Sequence, residues 1–422
     1  MKQKKSIVII GGGASALMLA CSLDGNKFNI SIYEKNAAVG RKFLVAGKGG
    51  FNLTHSEDIN QFAERYDPKK FIEPFLNHFS NTDFSNWLTS IGIETYVGTS
   101  KRVFPKKGIK PIEVLKAIES QLQKNKVSIF YNHTWQGWDN EELLFSCNNE
   151  LIKTTPDIVV FALGGASWKV TGSDGSWTTY FNNKGIKTNK FYPSNCAYKI
   201  NWNPTFIKTY QGSPLKNCEF TSGNISRKGE AVITEFGIEG SGIYPISPEI
   251  RKQLIRPNIS HPELVSGAHE MLKQVQHDGV AKLYIDFKPD LPLEEIIERI
   301  ENKGKFSIKE VLEKKINLSD TQIELLKIYS SKEEYNNVQI LSQLIKSFPL
   351  HIVGLAPMDD AISTVGGISL NEVTDGLELK KLPNHYCLGE MLDWDAPTGG
   401  YLLQACFSMG KFLANQLNVK KI

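Results

Sequence analysis

The sequence offers little that would tie it to a membrane, a metal or an oxidising compartment. No apolar run approaches the ~20 residues that a membrane helix needs. Lys2, Lys4 and Lys5 lead into a short β-branched run that stops at glycine, which is a strand rather than a leader peptide; a cytoplasmic protein is expected. The six cysteines, Cys21, Cys147, Cys196, Cys218, Cys387 and Cys406, contain no C-x-x-C pair, so neither a zinc site nor a disulfide framework is indicated. His261, His269 and His277 recur every eight residues, about 12 Å along a helix and too far for one small ion. The polar stretch around them, 256–279, reads as a surface insertion, and no metal is expected. Charge is nearly balanced, with 49 Lys+Arg against 45 Asp+Glu, so nothing in it demands a nucleic-acid partner. No Ser/His/Asp or Cys/His arrangement forces a covalent mechanism.

What is present begins at the N-terminus. Ser6 to Ile10 is an apolar, β-branched run, the pattern of a strand buried on both faces. It ends in Gly11-Gly12-Gly13, and Ala16 to Ala20 then reads as a helix. Gly11, Gly13 and Ala16 fit G-x-G-x-x-G/A, with Ala14 and Ser15 opening the helix whose unpaired N–H groups suit phosphate. Phe28 to Tyr33 is a second strand. It ends at Glu34, about 20 residues beyond the turn, where an acid can accept from a ribose.

Beyond Glu34 and Lys35 lies a glycine- and cation-rich stretch carrying Gly40, Arg41, Lys42, Gly47, Lys48, Gly49, Gly50 and Asn52. It reads as a loop able to run beside a long anionic ligand. Residues 69–92 hold two helical patterns with aromatic stripes suited to a core. Lys101 to Lys107 reads as a basic loop before a helix at about 111–124. Four short strand-like runs between Val127 and Thr154 look like a small β-meander. Asp157 to Leu163 is another buried strand. It returns to Gly164-Gly165, which places bare backbone next to Ala162 at the carboxyl edge of a parallel sheet; Asp174 follows shortly.

From about 193 the strands read as a second, mostly antiparallel domain, and 292–347 as helical. Gly237 to Tyr244 is glycine-rich but follows no βα pattern and is not counted as a second nucleotide site. Near the C-terminus, Tyr386 to Leu388 is a strand ending in Gly389-Glu390. Asp395 to Tyr401 then leads into a long helix with Thr398 as N-cap and Gly399 and Gly400 in its first turn. That helix start is a candidate for stabilising charge on a flavin ring, and Glu390 for binding a hydroxylated linker.

Together these blocks resemble the FAD-binding fold of the glutathione reductase type. Gly40 to Gly50, Leu163 to Trp168, Gly172 to Gly175 and Gly389 to Tyr401 more narrowly resemble the BaiN/RdsA family of NAD(P)/FAD-dependent flavoproteins, nearly end to end. The resemblance implies an α/β Rossmann-like FAD domain formed by 1–192 and 350–422. It adds an inserted β-barrel-like domain (193–290) and a small helical subdomain (291–349). It implies FAD held by Gly11, Gly13, Ala16, Glu34, Lys35, Arg41, Lys42, Gly165 and Asp174, with Glu390 at the ribityl chain and Gly400 and Tyr401 beside the isoalloxazine. One branch of the family carries Arg-Cys-Asn where this chain has Phe51-Asn52 after Gly50, so roles of that Arg and Cys do not transfer. The chain looks closer to the branch containing an aminoacetone-oxidase-like FAD-binding enzyme. The expected activity is hydride transfer from NAD(P)H through FAD to an unidentified small organic acceptor. The alternatives are an FAD-dependent amine oxidase using O2 and an RNA-acting flavin reductase. The catalytic acid is not legible.

Overall fold

The computed structural model describes residues 4–45, 50–255 and 279–420. The chain divides into two compact units, 1–193 with 358–422, and 194–357.

In the first unit the opening strand, Lys5–Ile10, sits at the middle of a five-stranded parallel sheet. On one side lie Phe28–Tyr33 and then Ser128–Phe130; on the other lie Ile158–Phe161 and then His385–Cys387. The β-branched run is buried on both faces: Ile7 and Ile9 on one side have no exposed surface, and Val8 and Ile10 on the other are 5% and 2% exposed, as a central parallel strand requires. The first helix, Ala14–Ser22, leaves the glycine turn. The last helix, Tyr401–Val419, comes alongside it: Asn418 donates to the Ser22 carbonyl at 2.9 Å and accepts from the Asp24 N–H at 2.9 Å. Two ends of the chain therefore build one layered core.

Three local readings change. Arg41–Val45 is a short helix rather than loop, because the run between Gly40 and Ala46 contains no glycine to interrupt a turn. The basic stretch at 101–107 is largely a strand, Arg102–Pro105, paired on one side with Thr54–His55 and on the other with Thr95–Val97. Of the four runs read as a meander, the first joins the parallel sheet, where Ile129 pairs with Ile32. The meander itself is the three strands Thr134–Asp139, Glu142–Cys147 and Glu150–Thr154.

The second unit carries a seven-stranded sheet with the order Phe348–Ile352, Ala281–Asp286, Pro214–Ser222, Ile225–Ile233, Gly237–Glu239, Tyr198–Lys199, Gly354–Leu355. Its pairings are antiparallel. Residues 350–357 belong to this unit rather than to the first. So do the five helices between Leu293 and Lys346, where Lys346 pairs with Asp286 of the sheet at 2.6 Å. His261, His269 and His277 and nearly all of the 256–279 stretch lie outside the described residues. Among the described residues, no helix is long and apolar enough to cross a membrane.

Candidate cofactor site

At the carboxyl edge of the parallel sheet the first unit encloses a cavity of about 290 Å³, within the range of small-ligand sites. The glycine turn forms its floor. Gly11 has φ of +100°, and a Cβ there would stand 2.4 Å from the Ala162 carbonyl oxygen, so no L side chain fits. Gly13 caps the first helix, and among the described residues nothing lies within 4 Å of where its Cβ would be. The Ala162 N–H donates to the Ile10 carbonyl at 2.9 Å, tying the two strand ends together at the cavity wall.

Glu34 is buried and already engaged. Its Oε2 accepts from the Gly12 N–H at 2.7 Å, and its Oε1 accepts from the Asn36 N–H at 2.8 Å and the Asn36 amide at 2.7 Å. A carboxylate offers about four acceptor sites, so one remains. Lys35 pairs with Asp174 at 2.8 Å. Burial pushes the Asp174 carboxyl up, but the Lys35 and Ser176 hydrogen bonds outweigh it and hold the group below its ordinary value. Arg41 is exposed, its guanidinium donating to Asn36 Oδ1 at 2.7 Å and the Val170 carbonyl at 2.8 Å.

Lys42 bridges from the cavity to the C-terminal part of the unit. It donates to Glu390 Oε2 at 2.8 Å and to Ser167 Oγ at 3.0 Å; the Thr364 N–H donates to Glu390 Oε1 at 3.1 Å. The Gly164 and Gly165 carbonyls accept from Trp177 at 3.2 Å and Ser173 at 2.8 Å. Gly389 accepts from the Trp394 indole at 2.8 Å.

The turn before the last helix differs from the sequence reading. The N-cap is Gly400, with φ of +102°, and the helix starts at Tyr401; Thr398 and Gly399 precede it. A Cβ on Gly400 would stand 2.5 Å from Thr54 Cα. That approach to strand Thr54–His55, with the left-handed φ, displaces the cap from Thr398. Tyr401 is held from two sides: its hydroxyl donates to Glu57 Oε1 at 2.6 Å, and its carbonyl accepts from the Tyr66 hydroxyl at 2.7 Å. Glu57 in turn accepts two hydrogen bonds from Arg65, at 3.1 and 2.9 Å. Burial pushes the Glu57 carboxyl up, and the Arg65 and Tyr401 hydrogen bonds with the Arg65 charge more than reverse it. The His55 ring stacks on Tyr401 at 5.3 Å.

The cavity thus gathers Gly11, Gly13, Glu34, Lys35, Arg41, Lys42, Ala162, Gly164 and Asp174. Ala14, Ser15 and Ala16 form the first helical turn beneath it, and Ser15 and Ala16 are buried. Glu390 and Gly165 do not line it, and Glu390 is tied to it through Lys42. Thr398, Gly399, Gly400 and Tyr401 form a separate cluster with His55 and Glu57. Gly50 and Asn52 are joined by an Asn52 N–H to Gly50 carbonyl bond at 2.9 Å, outside the cavity lining. Gly47 lies outside the described residues. Sequence reasoning missed His133, Trp135, Gln136, Trp177 and Tyr180, which also line the cavity. Among the described residues, the buried indole N–H of Trp135 has no hydrogen-bond partner. For His133, Trp135 and Gln136 the available signal was the meander's position just after the strand that follows Glu34, and for Trp177 and Tyr180 the helix that starts just beyond Asp174. Cys387, the thiol closest in sequence to Gly389, is fully buried, and burial pushes it well above its ordinary value; it is a packing residue.

Comparison with known proteins follows the same outline. A 3-dehydro-bile acid delta(4,6)-reductase from Clostridium scindens is 25% identical over 418 residues, covering 96% of this chain and 97% of that protein. A ribosomal RNA dihydrouridine synthase from Haemophilus influenzae is 28% identical over 118 residues, 28% of this chain and 29% of that one. A solved 3-ketosteroid delta1-dehydrogenase from Sterolibacterium denitrificans is 12% identical with a TM-score of 0.49, covering 99% of this chain and 100% of that one. The model of the HI0933-like protein Rossmann domain matches residues 5–416. With that match across nearly its whole length, the chain belongs to the HI0933-like family, the flavoprotein oxidoreductases that its motifs resemble.

Proposed function

We propose that the first unit binds FAD and that the protein passes a hydride from NAD(P)H through it to a small organic acceptor. The observation that carries this reading is the cavity: an open glycine turn at Gly13, a buried acid at Glu34 and three cations, Lys35, Arg41 and Lys42, around one hollow. These residues fit the nucleotide half of FAD. The first-helix N–H groups and the cations suit a pyrophosphate, and the remaining acceptor site on Glu34 suits a ribose hydroxyl. The buried Trp135 N–H and the Gln136 amide offer polar contacts to a heteroaromatic base. Lys42 and Glu390 would suit the hydroxylated linker, and the family resemblance puts the ring beside Gly400 and Tyr401. Bound FAD would supply the hydride chemistry. The chain's part is to hold the nucleotide, to fix the turn at Gly400 through Glu57 and Tyr401, and to present that turn's backbone to developing charge. A small acceptor is favoured by the Clostridium scindens relative, whose name is that of a reductase of a small molecule and which spans nearly the same length.

The test is flavin content followed by stopped-flow reduction with NADH and with NADPH. Yellow protein that is bleached by either within seconds is expected. Folded protein that stays colourless in excess FAD would sink the cofactor. Flavin that resists both nucleotides, yet is bleached by an amine and reoxidised quickly by air, would replace the reductase with an oxidase.

A further inference from the structure

The basic stretch at 101–107 separates by side chain once it is seen as a strand. Lys106 is exposed and pairs with Glu94 at 2.7 Å, and Lys101 is exposed at the preceding turn. Arg102 differs. It is half-buried and stands directly across from His55 in the antiparallel pairing, so the two side chains share one face. On that face His55 stacks on Tyr401. The Arg102 Nε lies 3.5 Å from where a Cβ on Gly399 would be. Among the described residues, the Arg102 side chain has no hydrogen-bond or ion-pair partner. The buried carboxylate of this cluster, Glu57, is already taken by Arg65 and Tyr401. His55 feels the surplus: burial lowers its pKa most, Glu57 and the Ser100 carbonyl oppose, and Arg65 and Arg102 lower it further.

A half-buried guanidinium with no acceptor among the described residues keeps its fork of donors available to a ligand at this turn. We propose that Arg102 is a binding group for a negatively charged oxygen at the Gly399–Gly400 turn, and that this oxygen belongs to the substrate, as a carboxylate or as a carbonyl that gains charge. The proposal rests on the flavin reading above, since it is the ring beside that turn that makes it a place for substrate. A planar guanidinium suits such an oxygen by bidentate bonding, which an ammonium cannot reproduce. Gly399 holds a left-handed φ of +109°, and a Cβ there would already touch the guanidinium at van der Waals distance. The same chemistry could be satisfied by the pyrimidine carbonyl edge of the flavin, and the experiment separates the two sources.

The full-length, flavin-loaded protein is titrated with benzoate as a carboxylate probe, following the visible flavin spectrum, and the flavin midpoint potential is measured in parallel. For Arg102→Gln the expected result is retained flavin and benzoate binding weakened tenfold or more, with Arg102→Lys restoring part of it. Unchanged benzoate binding with a potential lowered by about 30 mV, tenfold for a two-electron couple, would give the oxygen to the flavin and keep the arginine's role while overturning its assignment to substrate. If Arg102→Gln does not fold, Arg102→Lys carries the test alone, with at least a threefold loss expected. Variants with flavin bound and with both readouts equal to the parent would overturn the role of Arg102. A folded Arg102→Lys protein that no longer takes up flavin would overturn it too, making the residue a cofactor anchor. Parent protein that takes up no flavin would instead overturn the reading beneath it.

Discussion

The cavity at the glycine turn and the cluster before the last helix are built on opposite terms. Around the cavity the charges other than buried Glu34 are loosely held: the side chains of Lys35 and Asp174 are 33% and 34% exposed, and Arg41 leans on a side-chain amide and a carbonyl at the surface. At the cluster the charge is locked. Glu57 is 7% exposed and satisfied from three directions, by two bonds from Arg65 and one from Tyr401. Loosely paired groups can exchange partners with a ligand at little cost. A buried carboxylate paired with an arginine, as Glu57 is with Arg65, gives up its partner only at high cost, and its work is to fix backbone. The first region is therefore expected to respond to mutation in binding, the second in folding.

The largest effect that would break this contrast is at Glu57. Replacement by Gln leaves Arg65 with its charge half-buried and uncompensated, and about 3 kcal/mol of stability is expected to go, near the low end for a broken buried pair because Arg65 is partly exposed; urea unfolding reads it. Because the folded-state carboxyl titrates below its ordinary 4.5, the Glu57 share of stability is present above that pH and is lost as pH falls below it. Parent and variant should therefore converge in acid. Next is Gly400→Ala, expected to cost about 2 kcal/mol through the left-handed φ and the approach to Thr54, measured as a lowered Tm. On the other side, Gly13→Val places a side chain into open space. Stability should hold within about 0.5 kcal/mol, while flavin affinity falls tenfold or more in a fluorescence titration. Smallest is Asp174→Asn. A half-exposed pair is worth about 0.5 kcal/mol, so a two- to threefold change in flavin affinity is expected, with unfolding unmoved. If Gly13→Val unfolded the protein, or Glu57→Gln left its stability untouched, the division between the two regions would not hold.

The parallel sheet and the glycine turn were legible because their signals are local and agree: a β-branched run, Gly11 and Gly13, a helix and an acid at the right distance. Cys387 and the strand it ends were legible for the same reason. The cluster was not. Glu57, Arg65 and Tyr401 meet across more than three hundred residues, and no spacing announces such a meeting. The N-cap was misplaced because Thr398 satisfies a local preference, whereas the approach of Gly400 to Thr54 is tertiary and overrides it. Lys101 to Lys107 looked like one basic loop because composition weighs every cation alike. Pairing separates Lys106, spent on Glu94, from Arg102, turned toward Gly399.

One property of the sheet bears on how the protein is made. Its outermost strand on one side, His385–Cys387, and the helix packed along the first helix, Tyr401–Val419, leave the ribosome only after the whole of 194–357. The nascent chain emits the glycine turn early and must carry it, with an open sheet edge beside Ile158–Phe161, through the whole synthesis of 194–357. That intervening unit can close on itself meanwhile. A polypeptide released short of residue 385 would therefore carry a finished second unit and a first one whose parallel sheet lacks an outer strand.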